Sequence, residues 1–154
     1  MPRLFKFLLL SLSLIATAAQ AKVAGINHLG LAVSDLDASE AFFVKYANFK
    51  VLGRDDSYPA SFIDNGAVML TLWRVTDPKK AVAFDRKNNI GLHHVALTVD
   101  SFEALDELYQ KMKMDKSVNI EFAPEPLGRG PTKHMMVNDP SGLRVEFIHR
   151  PKKP

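Results

Sequence analysis

The chain has 154 residues, 20 lysine and arginine against 17 aspartate and glutamate, and no cysteine. Its formal charge of +3 includes Arg3 and Lys6 near the start and leans on the tail Arg150-Pro151-Lys152-Lys153-Pro154, so the body is close to neutral and a basic nucleic-acid-binding face is excluded. Without cysteine there are no disulfides and no lipid on an N-terminal Cys, so stability must come from packing and, where one is bound, a metal.

The first element in chain order is a leader. Arg3 and Lys6 precede an apolar run from Phe7 to Ala18, and Ala19-Gln20-Ala21 closes it with the small residues of a signal-peptidase site. The run is shorter than the ~20 residues of a spanning helix, so residues 1–21 are expected to be a cleaved signal peptide. The mature protein is expected to be periplasmic or secreted, with no membrane part after cleavage. One domain over 22–150 is expected to follow, with a basic tail at 151–154.

Within that domain Ile26 to Val33 alternates His28, Gly30 and Ala32 with Leu29, Leu31 and Val33, the period of a strand with two unlike faces. Ser34, with Asp37 three residues on, is placed to cap a helix, and Leu36, Phe42, Phe43 and Tyr46 recur at helical steps as its core stripe. Strands are expected over Lys50 to Gly53, Ala60 to Asp64 and Val68 to Val75, with Asn65-Gly66 as the hairpin turn before the last.

The same series then repeats. Leu92 to Val99 lies over Ile26 to Val33 at one constant offset, pairing His28 with His94. Asp100 with Glu103 predicts the second helix start, Phe102, Leu105, Leu108, Tyr109 and Met112 its stripe, and Ile120 to Phe122, His134 to Val137 and Leu143 to His149 the strands. Asp139-Pro140-Ser141-Gly142 is the matching turn. The fold class is therefore α+β: two βαβββ modules, about 24–76 and 90–150, forming a curved mixed-sheet trough with helices outside.

Superposing the two last strands through Gly66 and Gly142 sets Leu70 opposite Glu146. Leu143, Val145 and Phe147 take the apolar face, so Glu146 faces the trough among greasy neighbours, where a carboxylate is costly unless it meets a cation or donors. His28, His94 and Glu146 are thus candidate ligands of one metal ion. Two imidazoles and a carboxylate suit Fe(II), Mn(II), Zn(II) or Ni(II) and leave positions open for water or substrate.

These segments resemble the vicinal oxygen chelate superfamily, which includes glyoxalase I, methylmalonyl-CoA epimerase, extradiol dioxygenases, fosfomycin-resistance thiol transferases and bleomycin-binding proteins. The likeness runs from Ile26 to His149 and is carried by Ile26–Leu36, Gly91–Asp100 and Asp139–Phe147. It implies the same ligand set, a small oxygen-rich substrate, and a homodimer that builds the trough within one chain or across two. It also implies an acidic or amide ligand at the position assigned to Leu70, so this chain departs from glyoxalase I and the epimerase there.

His134 in Lys133-His134-Met135-Met136-Val137 has the parity to face the trough and is the candidate general acid or base; a solvated strand-edge histidine is the plain alternative. By strand alternation His93 points away from His94 and is structural. The Gly/Pro loop Glu125–Pro131 is by default a solvated connection; lying over the trough mouth, it would let Arg129 or Lys133 hold an anionic substrate. The expected function is a metal-dependent lyase, isomerase or dioxygenase of this superfamily. The alternatives are a non-catalytic small-molecule-binding protein and a structural domain pinned by its cation.

Overall fold

The computed structural model describes residues 22–152; the expected leader lies outside the described residues. The elements run β1 (His28–Val33), α1 (Leu36–Ala47), β2 (Lys50–Asp55), β3 (Ala60–Asp64), β4 (Met69–Arg74), a 3-10 turn (Pro78–Lys80), β5 (Val95–Thr98), α2 (Phe102–Lys113), β6 (Asn119–Pro126), β7 (Lys133–Asn138) and β8 (Arg144–His149). They form two four-stranded mixed sheets of order β1-β4-β3-β2 and β5-β8-β7-β6. In each, the first strand runs parallel to the last, and the other neighbours are antiparallel. This is the α+β pair of βαβββ modules that the internal repeat requires.

Alternation decides which side chains go under the helices. Leu31, Val33, Leu70 and Leu72 of the first sheet are buried, as are Val95, Leu97, Val145 and Phe147 of the second. They join Phe42, Phe43 and Tyr46 of α1 and Leu105 and Met112 of α2 in one core cluster. The other parity of β1 and β5, His28, Gly30, Ala32, Ala96 and Thr98, is exposed, which leaves a polar, small-residue face on each sheet. No helix among the described residues is long and apolar enough to cross a membrane.

Both helix starts sit one residue later than the spacing suggests. Asp35, not Ser34, caps α1 by accepting from Ala38 N at 3.0 Å, and Ser101, not Asp100, caps α2 by accepting from Ala104 N at 3.1 Å. Ser34 is instead drawn into the contact between modules, where its N–H donates to Ser141 Oγ at 3.1 Å. The β3–β4 and β7–β8 turns carry Gly66 and Gly142 at φ of +84° and +87°, a region that side chains with a Cβ rarely adopt.

Polar clasps join the modules along α1. At its first turn Ser39 Oγ–H donates to the buried Asp139 carboxylate at 2.6 Å and contacts Ser141 Oγ at 2.8 Å. At its last turn Lys45 and Tyr46 both reach Asp115 Oδ2 at 2.7 Å. The Lys45 ammonium and the hydroxyls of Ser117 and Tyr46 hold the Asp115 carboxyl far below the ordinary range, whereas burial pushes Asp139 up against the pull of its hydrogen bonds.

Candidate active site

Register shows which residues share the trough face. On β8, Glu146 lies opposite Ala96 of β5 and Met136 of β7, so its side chain leaves the sheet with the exposed parity of β5. It is nonetheless only 7% exposed, because His134 and His94 cover it. His134 Nδ1 is hydrogen-bonded to Glu146 Oε1, and His94 Nε2 stands 3.3 Å from Oε2. His134 is itself buried to 12% side-chain exposure, its ring tilted against Phe122 with centroids 5.0 Å apart. A solvated strand-edge histidine is therefore not what the strand carries.

His94 and His93 differ from the alternation expected of them. β5 begins at Val95, so both histidines precede the regular strand and the two-residue period does not separate them. Instead His93 Nδ1 and His94 Nδ1 are 2.7 Å apart, and Arg144 Nη1 lies 3.3 Å from the same His93 atom. A guanidinium can only donate, which makes His93 Nδ1 the acceptor and His94 Nδ1–H the second donor to it. His94 then turns Nε2 toward the Glu146 carboxylate. Two such atoms 3.3 Å apart are held together by a shared proton or by a metal ion.

Arg144 is oriented by Glu121, to which Nε and Nη2 donate at 2.8 and 2.7 Å. The sequence reading missed this Arg144–His93–His94 relay. The signal for it was the short run between Gly91 and Val95, too close to a glycine to be trusted as regular strand.

His28 stands apart. It opens β1, is exposed, and its Nδ1 contacts Asn27 Oδ1 at 2.8 Å. Of the expected ligands the chain brings His94 and Glu146 together, adds His134, and leaves His28 outside that cluster. Among the described residues no group of three His, Asp or Glu side chains already surrounds one point as metal ligands do. The donor types still fit a borderline divalent cation, with one carboxylate and imidazole nitrogens on a rigid sheet and a second imidazole orienting the carboxylate. Arg129 is exposed and Lys133 half-buried, the latter lying 5.3 Å above the Phe102 ring rather than beside Glu146.

The register also corrects the assignment of Leu70. Leu29 pairs with Leu70 as Val95 pairs with Val145, while Gly30 pairs with Thr71 as Ala96 pairs with Glu146. The counterpart of Glu146 is thus Thr71, and Leu70 is a core residue at 0% exposure. The hairpin of the first module holds one more residue between its glycine and the paired strand, so a superposition anchored on the glycines slips by one. Thr71 accepts from Trp73 Nε1 at 2.8 Å. Like leucine, it offers no carboxylate or amide at the fourth position.

Residues 25–147 match the family model of the Glyoxalase/Bleomycin resistance protein/Dioxygenase superfamily. The chain belongs to this superfamily. It is similar to the uncharacterized protein YwkD of Bacillus subtilis (strain 168), at 33% identity over 92 residues, 56% of this chain and 70% of that one. Among solved structures it is similar to a possible glyoxalase from Bacillus cereus, at 28% identity and a TM-score of 0.61 over 82% of this chain and 99% of that one. The fosfomycin resistance protein FosX of Listeria monocytogenes shares the fold, with 18% identity and a TM-score of 0.67 over 84% of this chain and 96% of that one. As a superfamily member the chain carries the paired modules and the trough face on which Glu146 and His94 converge.

Proposed function

We propose that this protein is a metal-dependent enzyme of the superfamily, acting outside the cytoplasm on a small oxygen-rich substrate. The observation that carries the reading is the nearly buried Glu146 carboxylate with one oxygen 3.3 Å from His94 Nε2, two donor atoms close enough to ligate the same ion. His94 and Glu146 would hold the ion, Fe(II), Mn(II), Zn(II) or Ni(II), and His28 from a second copy of the chain would complete the set, since it is exposed on an edge strand and outside the cluster of its own chain. Bound there, the ion would supply Lewis-acid stabilisation of neighbouring substrate oxygens.

The chain's own residues prepare that site. His134 Nδ1 fixes one carboxylate oxygen of Glu146, which aims the other at His94; His134 Nε2 is left to take or give a proton. Arg144 and His93 hold His94 in the tautomer that presents Nε2. The half-open environment of His94, 33% exposed at its side chain, leaves an approach for substrate.

Elemental analysis of the purified mature protein, with and without added Fe(II), Mn(II), Zn(II) and Ni(II), tests the reading. One equivalent of metal per chain, lost in His94→Ala, supports it. A protein that takes up none of these ions, yet binds an aromatic or peptide ligand, is a binding module instead.

A further inference from the structure

Tyr58, Phe62 and Trp73 gather on the trough side of the first module and take no part in its core. Register puts Phe62 opposite Thr71 and Trp73 opposite Ala32 and Ala60. Ile63, Leu70 and Leu72 of the same two strands are buried in the core, so Phe62 and Trp73 leave the sheet on the other face, where both stay half-buried. Tyr58 comes over from the β2–β3 turn and is 59% exposed. Its ring centroid lies 5.2 Å from that of Trp73 at a tilt of 38°, and Phe62 meets Trp73 edge-on at 5.8 Å.

The cluster is held in place by polar contacts. Trp73 Nε1–H donates to Thr71 Oγ1 at 2.8 Å, which sets the indole plane. Asp55 Oδ1 accepts from the N–H and the hydroxyl of Ser57 at 2.8 and 2.7 Å, which ties the turn that carries Tyr58. Beside the indole, β1 offers only Gly30 and Ala32, both exposed. A Cβ on Gly30 would stand 3.7 Å from Trp73 Nε1, so the bare backbone leaves that edge of the indole uncovered.

The twin positions in the second module are aliphatic. As Trp73 pairs with Ala32, Ile148 pairs with Thr98, and as Phe62 pairs with Thr71, Met136 pairs with Glu146. One half of the trough therefore carries the candidate metal donors and the other carries the rings. The halves are continuous, because Gly30 and Ala32 line the same cavity of about 540 Å3 as His94.

We propose that Tyr58, Phe62 and Trp73 form a shelf for a planar aromatic ring, borne by the substrate whose oxygens meet the metal. Rings fixed in this way favour another ring, stacked offset or edge-on, over a saturated body of the same size. As a substrate subsite the shelf rests on the metal-dependent reading above; as a binding surface it does not.

The test dialyses the full mature protein, free of metal, against 2-naphthol and its saturated counterpart decahydro-2-naphthol, both uncharged near neutral pH. Trp73 is the chain's one tryptophan, so its indole N–H gives a single NMR signal that reports on the shelf. Naphthol is expected to saturate at one per chain and to move that signal with the same midpoint. It should bind at least about threefold tighter than the saturated ring, a preference within the range that ring contacts add. Tyr58→Ala, at an exposed turn position, should weaken naphthol at least about threefold by removing one ring. Gly30→Val, on the exposed face of an edge strand that suits a β-branched residue, should weaken it at least ~fivefold by covering the indole edge. Naphthol affinity unchanged in both variants, or an indole signal that stays still on binding, would overturn the site, and equal affinity for the two probes would overturn its aromatic preference. Mn(II) uptake is read separately on the wild type. Naphthol bound as stated without Mn(II) uptake keeps the shelf and removes the metal reading, and Mn(II) uptake without saturable naphthol binding does the reverse.

Discussion

Replacing Asp139 with alanine deletes the clasp that ties the β7–β8 turn to α1. The carboxylate accepts from Ser39 Oγ at 2.6 Å, Ser141 N at 2.9 Å and Leu143 N at 2.8 Å, and the residue is 3% exposed. At about 1 kcal/mol for each bond, with the buried Ser39 hydroxyl left short of a partner, the loss comes to about 2–4 kcal/mol. Asp139→Asn keeps the shape, accepts from the two amides and donates to Ser39, and should stay within about 1 kcal/mol of wild type.

Burial raises the Asp139 carboxyl in the folded chain, so folding favours its protonated form. That contribution is complete below the unfolded value of about 3.9 and fades as pH rises through the higher folded value. Asparagine does not titrate, so its stability relative to wild type should climb as pH rises from about 4 and then level off. Urea denaturation of the three proteins across this window reads both effects. Alanine within about 0.5 kcal/mol of wild type at neutral pH, or an asparagine difference that shrinks as pH rises, would refute the reasoning.

Three further outcomes follow from the site and the register. Leu70→Glu should abolish cooperative unfolding by placing a charge in the core, whereas Thr71→Glu, on the Glu146 parity, should remain folded; circular dichroism melts decide, and the reverse ranking would restore the Leu70 assignment. His134→Ala should lower metal affinity by about 10–100-fold through loss of carboxylate orientation, with Glu146→Gln at least as damaging, as read by competition with a chelating dye. Gly142→Ala, at φ +87°, should cost about 1 kcal/mol or more in the same denaturation assay, because alanine must enter the left-handed region.

Much of this architecture follows from local rules that act within a few residues. Alternation in Ile26–Val33 and Leu92–Val99 sets the two faces of β1 and β5, helical spacing sets the buried stripes of Phe42, Phe43, Leu105 and Met112, and Asn65-Gly66 and Ser141-Gly142 mark the turns. The repeat of His28 at His94, together with the parity of Glu146 and His134, assigns these side chains to the trough face from the sequence alone.

Contacts between distant segments were another matter. The extra residue in the β3–β4 hairpin is visible only through the pairing of Gly30 with Thr71, since strand register is a property of two strands at once. The late start of β5 freed His93 to join Arg144 and His94, which alternation within the segment cannot foresee. Ser34 gave up its place as a cap because Ser141, more than a hundred residues away, accepts its N–H. Sequence alone thus determined the modules, their faces and the donor types. Tertiary structure decided which donors meet, because periodicity orients a side chain relative to its own backbone, while convergence depends on how separately formed sheets and their connecting loops pack.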